Sequence, residues 1–133
     1  MKEIIQSLIE FRKAVDPIYK GSRAQYGKYA DLQTVLQTIT PVLSEHGLFL
    51  SQSFDSCALQ TTLYHISGES ISSVCQLVVA DGRNPLHAWG AAVTYQRRYA
   101  VLSLLGLATE DDDGDSMEHR MTKPKQDDNS DFL

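Results

Sequence analysis

The first apolar positions of the chain recur at the spacing of one face of an α-helix. This pattern covers Lys2–Val15, and the Asp16-Pro17 pair that follows favours a turn and ends it. We therefore expect an amphipathic helix over this first segment.

A second helical pattern begins after Asp31, whose carboxylate is suited to accept a hydrogen bond from the first helical turn. It ends near His46, where Gly47 supplies the residue type that commonly follows a helix. Pro41 lies within the pattern and lacks the N–H of an ordinary helical residue, so we expect a kink or a break there.

The pattern changes between Leu48 and Ala80, where β-branched and aromatic residues are frequent. Three segments read LFLSQSF, LQTTLYHIS and SISSVCQLVV, and turn-forming residues separate them at Asp55-Ser56 and Ser67-Gly68. Each segment has the length of a strand. The sequence therefore predicts a three-stranded antiparallel meander whose last two strands form a hairpin.

The third helix is predicted to begin at Asn84, with Pro85 at its first position, and to run to about Leu105 before Gly106. Helices combined with an antiparallel meander make the fold class α+β. We expect residues 1–109 to form the folded domain. Residues 110–133 contain few apolar side chains and are expected to be an acidic, largely disordered tail.

A helical wheel assigns the faces of the third helix at about 100° per residue. The stripe expected to pack on the sheet comprises Leu86, Trp89, Val93, Ala100 and Leu104. The nearly opposite side comprises Tyr95, Arg98, Tyr99 and Leu102. Apolar residues on two sides predict that both are covered, by another helix, a neighbouring subunit or nucleic acid.

Arg97 falls near the edge of the core stripe, so the adjacent arginines Arg97 and Arg98 are expected to have different roles. Two ordinary surface arginines would also fit the sequence.

The segment IYKGSRAQYGKYA, between the first two helices, combines cationic and aromatic side chains. Aromatic rings stack on bases and cations neutralise phosphates, so this composition favours binding of single-stranded nucleic acid without sequence preference. An ordinary solvated loop would contain the same residue types. The candidate nucleic-acid-binding residues are Lys20, Arg23, Tyr26, Lys28 and Tyr29 in this loop, and Tyr95, Arg97, Arg98 and Tyr99 in the third helix.

The net charge of −5 is unevenly distributed along the chain. Residues 1–109 contain nine Lys/Arg and eight Asp/Glu, a balance of +1, whereas residues 110–133 contain three and nine, a balance of −6. The acidity of the whole chain therefore does not argue against a nucleic-acid partner for the folded part.

Motifs for catalysis and cofactor binding are absent from the sequence. It contains no phosphate-binding loop, nucleophile elbow or dinucleotide fingerprint. The acidic run Glu110–Asp115 does not fit a calcium-binding loop, because Gly114 would place Thr109 and Arg120 at the two end positions. We therefore predict a protein that is not an enzyme and that needs no metal or other cofactor.

Cys57 and Cys75 are far apart in the chain and form no metal-binding pair. We expect two reduced, partly buried thiols, as in proteins of reducing compartments.

The sequence shows neither a signal peptide nor an apolar run of membrane-spanning length, so we expect a cytoplasmic protein.

Three longer stretches carry a resemblance to a known family. They are YGKYADLQTVLQTITPVLSEHGL, an aromatic loop followed by a helix, TTLYHISGESISSVCQL, a hairpin, and GAAVTYQRRYAVLSLLGLATEDDDGD, a Thr-Tyr-x-Arg-Arg-Tyr helix followed by acids. Together they resemble the ERF (essential recombination function) family of phage single-strand annealing proteins, over roughly Met1 to Asp115. The last motif is the longest and the most specific.

The resemblance implies a β-β-β-α annealing-protein core, with the meander packed on the long helix. It also implies that the protein assembles into a ring or a helical oligomer. Such an assembly would hold single-stranded DNA in a basic groove and pair it with the complementary strand without ATP. A host-cell cytoplasmic location follows if the protein is phage-encoded. A passive single-strand-binding protein and a metal-dependent nuclease remain the alternative functions.

The end of the chain, DDNSDFL, is similar to the acidic, apolar-tipped tail by which bacterial single-strand-binding proteins dock their partners. It could recruit a single-strand-binding protein or an exonuclease, or compete with DNA for the basic groove; a solubilising end is the plainer alternative. The candidate partner-binding residues are Asp127, Asp128, Asp131, Phe132 and Leu133.

Overall fold

The structure, a computed structural model, describes residues 1–18 and 31–109. In chain order its elements are α1 (Lys2–Ala14), α2 (Leu32–Glu45), β1 (Leu48–Asp55), β2 (Ala58–His65), β3 (Ser70–Gln76) and α3 (Pro85–Leu105). The predicted order of elements and the α+β fold class are confirmed. The predicted cationic-aromatic loop and the predicted disordered tail lie outside the described residues.

The strands form the predicted antiparallel meander in the order β1-β2-β3. Leu63 of the central strand lies opposite Leu50 of β1 and Ile71 of β3, so these three side chains share one face of the sheet. The hairpin between β2 and β3 turns at Gly68, whose φ of 98° lies in the region that side chains disfavour.

One face of the sheet is covered by the helices. The core combines residues from α1, α2, the sheet and the last turns of α3, with Phe11, Ile39, Leu63 and Val101 all fully buried. Burying each such side chain stabilises the fold by about 1.5–3 kcal/mol relative to its exposed state. The core therefore lies at the end of α3 that carries Val101, which leaves the first turns of that helix less covered.

The helix ends follow from local chemistry. The Thr34 N–H donates a 2.8 Å hydrogen bond to the Asp31 carboxylate at the start of α2, and the His87 N–H donates one to Asn84 at the start of α3. Gly106 ends α3 with a left-handed φ of 67°. These contacts lie within a few residues of each other in sequence, which is why the sequence predicted the helix ends correctly.

The face of α3 that packs into the core was predicted only in part: Leu104 of the expected stripe packs against the core, but so do residues assigned to other faces. The structure buries Arg98, Val101, Leu102 and Leu105. By contrast, Leu86 is 84% exposed and Trp89 is 45% exposed. The wheel gave every turn of the helix equal weight, whereas only the last turns are enclosed by α1, α2 and the sheet. Trp89 instead packs against Phe54 at the far end of the sheet, with ring centroids 5.4 Å apart.

Of the two effects expected of Pro41, a break does not occur, because α2 continues through this residue. The expectation for the cysteines is corrected. Cys57 and Cys75 are exposed free thiols rather than partly buried ones, because Cys57 lies in the β1–β2 turn and Cys75 lies on edge strand β3. Across residues 1–18 and 31–109, no helix has both the length and the hydrophobicity that a membrane span requires.

Candidate nucleic-acid interface

A groove runs along α2 and is formed by three overlapping cavities of about 630, 730 and 230 Å³. Asp31, Leu32 and Thr94 line both the first and the second cavity. Leu36 and Thr40 line both the second and the third. We call this continuous surface the α2 groove. It leads from the beginning of α2 to the edge of β1.

The α2 groove is mainly uncharged over its middle section. The α2 residues there include Gln33, Gln37 and Pro41, and α3 contributes Thr94. Gly90 lies in the first cavity, and a Cβ added to it would meet no atom within 4 Å. Small and uncharged residues leave room for a chain to lie along α2 without the cost of burying a fixed charge.

Arg97 lies at the β1 end of the groove and is half-buried. Its Nε donates a 3.1 Å hydrogen bond to Gln52 Oε1. The Gln52 Nε2 in turn donates to the Thr61 hydroxyl at 3.0 Å and to the Arg97 carbonyl at 3.1 Å. Because Thr61 is fully buried in the central strand, this network fixes the arginine to the sheet.

Arg98 has a different environment and is only 3% exposed. Its Nη2 donates a 2.9 Å hydrogen bond to the Thr109 hydroxyl, and its guanidinium carbon lies 5.1 Å from the centre of the Tyr99 ring. Thr109 also forms a parallel β-bridge with Ile18. Arg98 therefore anchors the segment that follows α3. The two arginines therefore have different environments, but Arg98, which the wheel placed nearly opposite the core stripe, is the buried one.

Asp31 stands where the groove and the second helix begin. Its pKa is lowered from the ordinary value of 3.8, mainly by the hydrogen bonds from Thr34, with a smaller contribution from the positive charge of Arg98. Asp31 is therefore a carboxylate at neutral pH. Of the residues that the structure describes, it is the acidic one that lines the first two cavities.

Tyr95 and Tyr99 form an exposed aromatic pair on α3. Their ring centroids are 4.9 Å apart, and the Tyr95 hydroxyl donates to the Tyr99 hydroxyl at 3.4 Å. They remain 58% and 42% exposed. Tyr95 lines the first cavity of the groove, so an aromatic surface is available beside the groove.

The loop candidates Lys20, Arg23, Tyr26, Lys28 and Tyr29 lie outside the described residues, as do the tail candidates Asp127, Asp128, Asp131, Phe132 and Leu133. The described residues nevertheless fix where the loop is attached. It follows Ile18, which pairs with Thr109, and it precedes Asp31, which lines the groove. The chain therefore joins the loop to the body at Asp31, at the end of the groove opposite Arg97.

The sequence analysis missed an aromatic pair near Arg97. Phe49 of β1 and Tyr64 of β2 stack with their ring centroids 6.4 Å apart and their planes 28° apart. They are 66% and 47% exposed, and Phe49 lines the same cavity as Arg97. The available signal was the alternation along the strand, because Phe49 lies between Leu48 and Leu50 and so faces away from the core.

Within the described ranges, no three His, Cys, Asp or Glu side chains come together as a metal site would require.

A comparison with models of protein families matches residues 4–131 to the model described as the ERF superfamily. No curated protein and no solved structure matches the chain.

Proposed function

The chain belongs to the ERF superfamily, and from this premise we propose that it binds single-stranded DNA along the α2 groove and anneals it to the complementary strand. Family membership supports a role in phage single-strand annealing and recombination. In our proposal the protein acts without ATP, and the acting form is a ring or a helical oligomer.

The observation that carries this proposal is the placement of Arg97. A guanidinium held by Gln52 lies at one end of the groove, and the described residues along the middle of the groove are mainly uncharged apart from Asp31. Lys20, Arg23 and Lys28 would neutralise phosphates from the loop side. Phosphate contacts supply most of the affinity of binding that has no sequence preference.

The aromatic candidates would contact bases. Tyr95 lines the groove and Tyr99 stacks beside it, while Tyr26 and Tyr29 belong to the loop. Stacking on aromatic side chains is tolerant of sequence because every base has a π face. This tolerance is what an annealing protein needs, since it must hold any strand and leave base edges available for pairing.

In this mechanism the protein makes and breaks no covalent bond. Neutralised phosphates allow two strands to approach each other, and ordered bases reduce the entropy that pairing must overcome. A single subunit offers few contacts, but repetition of the groove around an oligomer multiplies a weak site into useful affinity. The buried Arg98 would support the groove by anchoring Thr109 and the adjoining Ile18 rather than by contacting DNA.

Annealing of complementary fluorescent oligonucleotides tests the proposal directly. We expect the protein to accelerate pairing without ATP, and to bind single strands with an affinity that falls steeply as salt rises. Binding without acceleration would identify a passive single-strand-binding protein instead. Magnesium-stimulated strand cleavage would identify a nuclease. A flat salt response would contradict the electrostatic part of the mechanism.

The oligomeric form and the tail need separate measurements. Electron micrographs with and without single-stranded DNA are expected to show rings or filaments, and a monomer that anneals DNA at full rate would contradict this expectation.

For the tail, we propose that Phe132 and Leu133 dock a partner such as a single-strand-binding protein. Deletion of residues 125–133 should abolish partner capture, and unchanged capture together with unchanged DNA affinity would leave only a solubilising role.

A further inference from the structure

We infer that the cavity around Arg97 is a subsite for one phosphodiester of single-stranded DNA, and that the Phe49–Tyr64 pair stacks an adjacent base. This inference rests on the proposed function and assigns its contacts at the β1 end of the α2 groove. It adds side chains from the sheet to a binding surface that the sequence located only on the loop and on α3.

The charge around Arg97 favours an anion. In the described part of the chain the ion pairs join Met1 to Glu69 and Lys13 to Glu10, and neither involves Arg97. Among the described residues, none of those that line its cavity is acidic. Among residues 1–18 and 31–109, the guanidinium is engaged only at Nε, through Gln52. The two terminal nitrogens are therefore available to form a bidentate contact with phosphate oxygens.

The arginine is also held in place before a ligand arrives. Gln52 is bonded both to Arg97 and to the buried Thr61 hydroxyl. A fixed donor loses less conformational entropy on binding than a free surface side chain does. Arg83, by contrast, is exposed and outside the groove, so it provides a matched cation without this support.

The rest of the cavity supplies further donors. Thr40 and Ser44 contribute hydroxyl-bearing side chains from α2. Ile66 donates its N–H to the Gly47 carbonyl, and the alternation of an antiparallel ladder then turns the N–H groups of Leu50 and Gln52 away from β2. Both residues line the cavity. β1 is an edge strand, so these backbone groups are available to a ligand.

The Phe49–Tyr64 pair gives the second half of the subsite. Phe49 lines the Arg97 cavity and is 66% exposed. Strand alternation places its ring on the sheet face opposite Gln52, so the ring and Arg97 lie on the two sides of edge strand β1. The stacked Tyr64 supports that ring from the neighbouring strand. In the inferred subsite the strand passes over the edge of β1, with a phosphate on the Arg97 side and the next base on the exposed Phe49 ring. Aromatic stacking combined with phosphate contacts holds single strands without reading their sequence.

Two ligands of equal length separate the phosphate contact from the base contact: poly-dT and an abasic sugar-phosphate strand. For the full-length protein, we expect Arg97→Gln to weaken binding of both and to reduce the slope of log affinity against log salt by about 0.7, the value for one phosphate of a single strand. Phe49→Leu should weaken poly-dT binding by at least about fivefold and leave abasic binding unchanged. Arg83→Gln and Phe54→Leu are the matched controls and should bind as the wild type does.

The outcomes distinguish this inference from the proposed function. If the wild type binds poly-dT but Arg97→Gln keeps its affinity and salt slope, or Phe49→Leu affects the two ligands equally, the subsite is wrong and the proposed function stands. If the wild type binds neither ligand, both fail. Should Arg97→Gln unfold, Arg97→Lys keeps one charge but loses the planar fork; it is expected to retain the salt slope and bind both ligands more weakly.

Discussion

Arg98 and Thr109 are both buried, and the arginine Nη2 donates a 2.9 Å hydrogen bond to the threonine hydroxyl. Thr109 pairs through its backbone with Ile18. This arrangement joins α3 to the residues that precede the loop and the acidic segment. We therefore expect removal of the Arg98 side chain to lower the stability of the fold rather than to remove a direct contact with DNA.

Arg98→Ala is therefore expected to lower the free energy of unfolding by at least about 1.5–3 kcal/mol, the range for a hydrogen bond to a charged group. Thr109→Val removes only the hydroxyl and should cost less, although it leaves a buried charge without that partner. Urea unfolding followed by circular dichroism measures both, with the exposed Arg83→Gln as control. An Arg98→Ala protein that is as stable as the wild type and no longer binds DNA would show that Arg98 contacts the strand.

Asp31 gives a test that depends on pH. Asp31→Ala removes the cap of α2 and should cost about 1 kcal/mol at neutral pH, whereas Asp31→Asn keeps a capping oxygen and should cost less. Because the folded-state pKa of Asp31 lies below its ordinary value of 3.8, its stabilising contribution is present above that value and is lost as the pH falls through the folded-state pKa.

The stability of the wild type relative to Asp31→Asn should therefore decrease as the pH is lowered through 3.8 and below. Thermal unfolding of the two proteins at a series of pH values measures this difference. A difference that stays constant from neutral pH into the acid range would mean that the carboxylate charge contributes nothing to folding.

Two glycines of the α3 region should respond in opposite directions to alanine. Gly106 has a φ of 67°, and a Cβ there would lie 2.7 Å from Nη1 of Arg12. Gly106→Ala should therefore lower the free energy of unfolding by about 1–2 kcal/mol. Gly90 lies inside the helix with open space around it, so Gly90→Ala should stabilise by about 0.5–1 kcal/mol. Chemical unfolding of both variants provides the comparison, and the same sign for both would contradict the assigned backbone conformations.

The loop cations are expected to set much of the salt dependence of DNA binding. Replacing Lys20, Arg23 and Lys28 with glutamine should reduce the slope of log affinity against log salt by up to about 2, because each phosphate of a single strand that a cation neutralises contributes about 0.7. Fluorescence anisotropy with poly-dT across a salt series gives the slope. Lys2 and Lys13, exposed on α1, replaced by glutamine form the control, and an equal change in both proteins would rule out a specific role for the loop.

The elements of this fold could be predicted from the sequence because their signals are local. Asp31, Asn84 and Gly106 each act on backbone groups a few residues away. The buried face of α3 could not be predicted in this way. It depends on how far the other layers extend along the helix, and Arg98 occupies a core-facing position that a polarity pattern assigns elsewhere.

The Arg97 site illustrates a second limit. Arg97 itself was a candidate, but Gln52, Phe49 and Tyr64 enter the site through the strand register and the packing of α3 on the sheet. Those relationships join residues about 15 to 45 positions apart in the chain. No local pattern specifies them, so the sequence could indicate the chemistry of the site but not its members.

The bridge between Ile18 and Thr109 has a consequence for the acidic end of the chain. Because these two residues are paired, the cationic loop and the acidic segment begin at neighbouring points of the described body. If the loop binds DNA phosphates as proposed, the acidic segment is a polyanion that starts next to the start of that loop. Its effective concentration there is set by chain length and does not fall when the protein is diluted. Incoming DNA would thus meet an intramolecular competitor whose effect does not depend on protein concentration. Added salt would weaken the binding of the loop to the tail and to DNA together.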